Sequence, residues 1–496
     1  MQKLSNDQKT EVMLALRSFA SYAGQIGELK YINNLHWDKE VGSFTEMVYR
    51  AKPVNSPALM FDHIGQYPEG YRCLYGMLAS QRRFGLATGI DIASNKTRME
   101  LLRAFRKKMS GNQPIAPRYV DSGPILENVL SGDDVDVLKF PAPIHHELDG
   151  GRYIGTADAV ITRDPDTGWI NLGTYRVQAV NKKQVVCYIT PGKHGILQRN
   201  KYLSQGKPCP VLIVVGVFPL LWVVARYKVP GGMGELDYAG GMVGQPIEVI
   251  EGADTGLPVP ATAEIVLEGE ISATEMTPEG PFGEWAGYYA SSARKEPLIN
   301  IRRIYHRHNP ILTCAASQKP PHAHLFERAF IRSASLWDKL ERADCPEIQG
   351  VWMHEAGSGR TFNVIAIKQK YYGHSRQAVI LASQLSPAAY ANRFTVVVDE
   401  DIDPSNLYDV IWAMGTRCDP QQDIEINKKT WSSVIDPLVF GDQLYNSRAQ
   451  IDACKPFEHI HDFPTVAQTS PEYKKFMVEK HGALFKEILG QDTLEI

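Results

Sequence analysis

The segment from Thr277 to Glu284 reads TPEGPFGE and carries two carboxylates, Glu279 and Glu284. At a spacing of five they would point to opposite faces of a straight strand. Pro278, Gly280, Pro281 and Gly283 argue against a straight strand, and a kinked loop can turn both acids into one cavity. Two carboxylates held close divide their roles. One can keep a proton to donate to carbon while the other holds a cation. Taken alone, the segment equally fits a Pro/Gly turn with two surface glutamates.

Other residues gain meaning only in combination. Arg176, in NLGTYRV, could clamp a carboxylate with two parallel hydrogen bonds or sit in water at a sheet rim. Asn171, His194 and Glu235 lie in a strand, in the turn of TPGKH and in the loop GGMGELDY. An amide carbonyl, an imidazole and a carboxylate can ligate Mg²⁺ or Mn²⁺, but their spacing does not join them. His322 and His324 in PPHAH are ligands, substrate contacts or plain loop residues. Lys193 could attract a carboxylate or phenolate, or face solvent. There is no GxxxxGK[ST] loop and no GxGxxG that follows a strand and opens a helix, which speaks against a P-loop or Rossmann site. GGMVG, 240–244, reads as a turn.

The elements that must position these residues fall into three regions, 1–120, 121–318 and 319–496. In the first, Ser5-Asn6-Asp7-Gln8 reads as a capping box opening a helix with Val12, Leu16 and Phe19 on one face. The second alternates short Val/Ile/Thr-rich segments with turn signals, as in a β-barrel or sandwich. Its DPDTG, 164–168, predicts a hairpin turn, and a helix is expected from about Ile196 to Leu203. The apolar run from Pro210 to Ala225 contains Gly216 and Pro219 and is shorter than the ~20 residues of a spanning helix. It reads as two buried strands broken by a turn. In the third region, helices over Leu325 to Leu340 and Ser375 to Leu385 alternate with strands over Phe362 to Lys368 and Phe394 to Val398, a βαβ pattern. A late helix runs from Pro471 to Leu489.

Composition removes several function classes. The net charge of −3 gives no reason to expect nucleic acid or an anionic membrane as partner. The polar start MQKLSNDQKTEV has no signal-peptide core. Seven scattered cysteines with no CxxC pair point to reduced thiols in a cytoplasmic protein.

Taken in order, these stretches resemble the UbiD-type decarboxylases, which use prenylated FMN, and among them the ferulic acid decarboxylase branch and relatives acting on aromatic and heteroaromatic acids. The resemblance runs from about Pro141 to Arg417 through FPAPIHHELDGGRYIGT, DPDTGWINLGTYR, TPGKH, GELDYAGGMVG, VPATAEIVLEGEI, PEGPFGEWAGYY and VVVDEDIDPSNLYDVIWAMGTR. It implies a Glu279–Arg176–Glu284 network in which Glu284 donates the proton that replaces CO₂. It also implies that Asn171, His194 and Glu235 bind Mn²⁺ or Mg²⁺ at the cofactor phosphate, with K⁺ nearby sharing Glu235. Thr156, and with it Arg176, falls where the family contacts the cofactor. His324 falls near the substrate pocket of hydroxybenzoate-type relatives. A flavin prenyltransferase would supply the cofactor, and members are commonly homodimers or hexamers.

The chain departs from the ferulic acid branch in two places. SPAAY, with Pro387, stands where that branch has a lysine for the cofactor phosphate. Trp285 follows Glu284 where a smaller apolar residue is common; its indole suits stacking on an aromatic substrate or plain packing.

The expected architecture is an α+β or α/β multidomain chain. A central split β-barrel holds the flavin, an N-terminal α/β region packs on it, and a C-terminal α/β domain with its late helix makes the oligomer interface. The expected reaction is reversible, non-oxidative decarboxylation of an aromatic, heteroaromatic or α,β-unsaturated acid. Trp285, Lys193 and His324 favour a hydroxybenzoate-like or polycyclic aromatic acid. An FMN-dependent oxidoreductase on a split barrel and a non-catalytic flavin-binding protein are the competing readings.

Overall fold

A computed structural model describes residues 4–227, 229, 232–290, 292–441 and 443–489. Its centre is a nine-stranded antiparallel sheet. Among the described residues its strand path has two ends, at Tyr153–Gly155 and Ile170–Gly173. The sheet curls, so that Tyr153–Gly155 lies against Cys209–Val215 from across the path. The result is a half-barrel. β-branched runs such as the Val/Ile-rich Cys209–Val215 form strands because their side chains pack well on a pleated, buried surface. The DPDTG turn joins Asp158–Arg163 to Ile170–Gly173 as an antiparallel hairpin, as the sequence predicts.

Two strands frame the site. Ile265–Glu279 and Arg294–His306 pair antiparallel, ending on Glu279 opposite Arg294. Register shifts between Glu268 and Gly269 and between Ile271 and Met276 bend the pair, and such bulges re-aim the side chains beyond them.

A four-stranded sheet, Leu29–Asn33, Ala58–Asp62, Arg72–Tyr75 and Ile311–Cys314, takes its last strand from after the half-barrel. Buried Glu264 ties the N-terminal helices to the half-barrel: it accepts from Arg17 and from the Ile311 N–H. The C-terminal part is a five-stranded mixed sheet in which Phe362–Ile367 pairs parallel with Phe394–Asp399 across the helix His374–Gln384. The helix Leu325–Arg342 packs on Ile348–Met353 and is buried nearly all round. No helix among the described residues is long and apolar enough to cross a membrane. All seven cysteines are free thiols.

Three sequence expectations are corrected. The apolar run beginning at Pro210 is one strand followed by the helix Pro219–Arg226. Pro219 sits at the first helical position, where its missing N–H costs nothing. GGMVG is not a free-standing turn: its first four residues end the helix Glu235–Val243, and Gly244 caps it in the left-handed region at φ 85°. The first helix is two helices, Asn6–Leu14 and Leu16–Gln25, because Ala15 is extended; the Ser5 capping box is present.

Candidate active site

Arg176 lies between the strands Ile170–Gly173 and Val177–Ala179, within hydrogen-bond reach of the last residue of Ile265–Glu279. Its Nε and Nη2 donate to the two oxygens of Glu279 at 2.7 and 2.9 Å, a bidentate pair. Its Nη1 donates to Glu284 Oε1 at 2.8 Å. Side-chain exposure is 11% for Arg176, 0% for Glu279 and 8% for Glu284, so the network is shielded from bulk water. Burial works against the guanidinium charge, but the hydrogen bonds to Glu279 and the fields of both carboxylates outweigh it and hold Arg176 above its ordinary value. The Tyr153 hydroxyl adds a donor to Glu279 at 3.2 Å. Arg176 lies over the Tyr188 ring at 4.9 Å, which fixes its plane.

The turn that brings Glu284 back depends on its glycines. Gly280 has φ 85°, open to glycine at no steric cost. A Cβ on Gly283 would stand 2.2 Å from the Ser317 carbonyl oxygen, so only glycine lets the turn press against the segment that leads to His324. The Gly280 N–H donates to Gln178 at 2.9 Å and the Glu284 N–H to the Tyr288 carbonyl at 2.9 Å, so both ends of the turn are pinned. Of the loop expected from TPEGPFGE, Thr277–Glu279 instead end the strand Ile265–Glu279, and only Gly280 to Glu284 form the kinked turn, with both carboxylates on one arginine.

A second group forms around Tyr175. Asn171 is buried on Ile170–Gly173, Glu235 is the first residue of Glu235–Val243, and His194 is the first residue of His194–Leu203. Glu235 Oε2 accepts from the Leu172 N–H at 2.9 Å, next to Asn171. The Tyr175 hydroxyl receives the Gly195 N–H at 3.4 Å and lies near Asn171. Trp169 meets the His194 ring edge-on at 4.9 Å. Burial pushes the Glu235 carboxyl up to about 7 against that backbone hydrogen bond.

Buried Glu235 has no cationic side-chain partner among the described residues, and the Asn171 Nδ2 has no hydrogen-bond partner. An acid that is costly to bury uncompensated, beside an amide and an imidazole, fits a hard or borderline divalent cation. His194 and Glu235 each open a helix, and helix N-termini favour an anionic ligand such as a phosphate.

The remaining expected residues are spread around the first group. The Thr156 hydroxyl accepts from the Ala315 N–H at 2.9 Å. Trp285 is buried, and its Nε1 has no hydrogen-bond partner. His324 is buried with its ring 4.1 Å from that of His322. Lys193 caps His194–Leu203 on an exposed turn. Pro387 follows the helix His374–Gln384 in a segment that brings Tyr390 to 4.7 Å from the Arg360 guanidinium.

Sequence reasoning missed Arg226, Arg328, Arg332 and Arg360, which gather near Trp285 and His324. A signal existed in LFERAFIRSASLW: Arg328 and Arg332 recur at i, i+4 in a helix whose remaining positions are largely apolar.

Comparison with known proteins converges on one family. Residues 118–320 match the 3-octaprenyl-4-hydroxybenzoate carboxy-lyase Rift-related domain of UbiD, and residues 327–453 match the C-terminal domain of the same family. The chain is 31% identical over 425 residues to a pyrrole-2-carboxylic acid decarboxylase of Pseudomonas aeruginosa, covering 83% of this chain and 84% of the relative. Among solved structures, the UbiD-class enzyme HmfF of Pelotomaculum thermopropionicum in complex with FMN superposes with a TM-score of 0.83 at 26% identity, over 94% of this chain and 100% of that one. An evolved dimeric form of HmfF in complex with prFMN gives 0.78 at 26% identity, over 94% and 99%. The vanillic acid decarboxylase of Sedimentibacter hydroxybenzoicus in its open form gives 0.83 at 27% identity, over 95% and 99%. With both domain models matched and most of the chain aligned to a decarboxylase, this chain belongs to the UbiD family of carboxy-lyases.

Proposed function

We propose that the chain reversibly decarboxylates an aromatic, heteroaromatic or α,β-unsaturated carboxylic acid with prenylated FMN, and that Glu284 supplies the proton. The observation that carries this reading is the buried Arg176 held between Glu279 and Glu284. The named relatives add support, because they include decarboxylases of pyrrole-2-carboxylic and vanillic acid and an enzyme solved with prFMN.

Prenylated FMN, when bound, would supply the electron sink that no side chain offers. The protein orients the substrate, excludes water and moves one proton. A guanidinium has five N–H donors, and three are committed to Glu279 and Glu284. The other two are available to the substrate carboxylate. Arg176 occupies Glu284 Oε1 and leaves Oε2 to carry the proton. One C–C bond breaks as CO₂ departs, one C–H bond forms with the proton of Glu284, and no net oxidation occurs. Glu279, pinned by both Arg176 and Tyr153, fixes the guanidinium plane.

Asn171, His194 and Glu235 would hold Mn²⁺ or Mg²⁺, Glu235 would also serve K⁺, and Thr156 would contact the cofactor. Trp285, His324 and Lys193 are the substrate contacts proposed from the sequence. Tyr408, Ile411, Trp412, Leu438 and Phe440 give the C-terminal domain an exposed apolar surface suited to contact between copies of the chain.

Co-expression with a flavin prenyltransferase tests the reading. Protein from co-expressing cells should release CO₂ from aromatic acids, whereas protein carrying plain FMN should not; equal release from both would overturn the cofactor assignment. His194→Ala should lower metal and flavin content together, read by elemental analysis and flavin absorbance. Unchanged content would remove the metal site.

A further inference from the structure

The turn that carries Glu284 is gripped on both sides by one segment, residues 145–151, which reads HHELDGG. On the near side the Gly150 N–H donates to the Pro281 carbonyl at 2.8 Å. Gln178 bridges the same two segments: its Nε2 donates to the Gly150 carbonyl at 2.9 Å, and its Oε1 accepts the Gly280 N–H at 2.9 Å. A Cβ on Gly150 would stand 2.0 Å from the Gly280 carbonyl oxygen, so glycine is what lets the two backbones meet. On the far side the Tyr289 hydroxyl donates to Asp149 Oδ1 at 2.8 Å. Tyr289 follows Tyr288, whose carbonyl accepts the Glu284 N–H at 2.9 Å. Tyr288 itself is 61% exposed, so the course of the chain here depends on what anchors its neighbour.

Asp149 suits an anchor. Its side chain is 0% exposed. Oδ2 accepts the N–H groups of His145 and His146, each at 3.0 Å, which leaves Oδ1 to Tyr289. An acid is costly to bury, and hydrogen bonds to an ionised oxygen are roughly twice as strong as neutral ones. Burial raises the Asp149 carboxyl above its ordinary value against these hydrogen bonds. Burial, and then the Asp149 charge, also push the Tyr289 hydroxyl up, so it stays a donor. The backing of the segment is tight. The helix Glu40–Ala51 presses Gly42 against the His145 backbone, where a Cβ would stand 2.4 Å from the carbonyl oxygen. The Ile144 N–H donates to the Trp37 carbonyl, and the Ile144 carbonyl accepts the Lys39 N–H. The His145 ring, which burial presses down to about 3 and so keeps neutral, meets Phe282 of the turn edge-on at 5.8 Å.

The geometry points to Asp149 as a positioning residue for the proton donor: through the Tyr289 hydroxyl it holds the far side of the turn and so sets where the Glu284 carboxyl stands against the reacting carbon. This deepens the reading of Glu284 as proton donor and rests on it.

The test compares Tyr289→Phe, Asp149→Asn and the double variant with wild type, all flavin-loaded. In Tyr289→Phe, kcat for CO₂ release should fall about 10-fold or more, since a misplacement of about 1 Å costs on the order of 10²-fold. KM and flavin content should not change. The solvent deuterium isotope effect on kcat should rise, because the proton step becomes the slowest. Asp149→Asn keeps the shape and an acceptor for the backbone N–H groups and should lose less. The double variant should be no slower than Tyr289→Phe, because both changes break one hydrogen bond. Hydrogen exchange read by mass spectrometry over residues 280–289 should quicken about 10-fold or more in Tyr289→Phe, the scale of one charge-assisted hydrogen bond. Unchanged exchange there would overturn the inference whatever the activity. So would an unchanged kcat, a fall in kcat that follows lost flavin with the isotope effect unmoved, or losses that multiply in the double variant. Quickened exchange in a chain whose wild type releases no CO₂ from any acid would leave the anchor standing and overturn the decarboxylase reading alone.

Discussion

Replacing Glu284 by glutamine is expected to abolish turnover, by about 10³-fold or more, while flavin stays bound. The substitution keeps the size and an oxygen for Arg176 Nη1 at 2.8 Å but removes the carboxyl proposed to deliver the proton. General-acid groups contribute roughly 10²–10⁴-fold, and here water is a poor substitute because Glu284 is buried. Cofactor content should not change, since the residues grouped around Tyr175 are separate from the turn. The measurement is initial-rate CO₂ release normalised to bound flavin. Full activity in this variant would end the assignment of Glu284 as proton donor.

The second large effect is expected at Arg176. Arg176→Ala removes three hydrogen bonds and leaves two carboxylates facing one another in a buried site. Breaking a buried pair by deleting one partner costs about 3–5 kcal/mol, so the protein should melt at lower temperature as well as lose activity. Arg176→Lys separates the two effects. A lysine keeps the charge but cannot reach both oxygens of Glu279 and Glu284 Oε1 together. The stability loss should shrink, and turnover should fall about 10²-fold. Thermal denaturation and CO₂ release on both variants check this, and a lysine variant with full activity would show that bidentate geometry is dispensable.

Much of the site was legible because its chemistry is concentrated in unusual local sequence. TPEGPFGE announces a kinked turn through its prolines and glycines, and the turn indeed delivers both carboxylates to Arg176. The hairpin at DPDTG and the parallel pair Phe362–Ile367 with Phe394–Asp399 follow from local turn chemistry and alternating elements. The helix Pro219–Arg226 was not legible, because an apolar run buried on all sides shows neither strand nor helix periodicity. Ala15 breaks the first helix through extended geometry that no local residue demands. The arginines near Trp285 escaped for a different reason. Arg328 and Arg332 belong to one helix, Arg226 to another and Arg360 to a loop, so only the packing of Leu325–Arg342 against the C-terminal sheet brings them together.

The central claim is that Glu284 delivers the proton that replaces CO₂. Its most direct measurement is solvent deuterium in the product of a single turnover by prenylated-FMN-loaded protein in D₂O. The account predicts one deuterium at the carbon that lost CO₂ in the wild type, and neither CO₂ nor labelled product from Glu284→Gln within the same time. Equal labelling in that variant, or flavin reduction by a nicotinamide donor without release of CO₂, would contradict it.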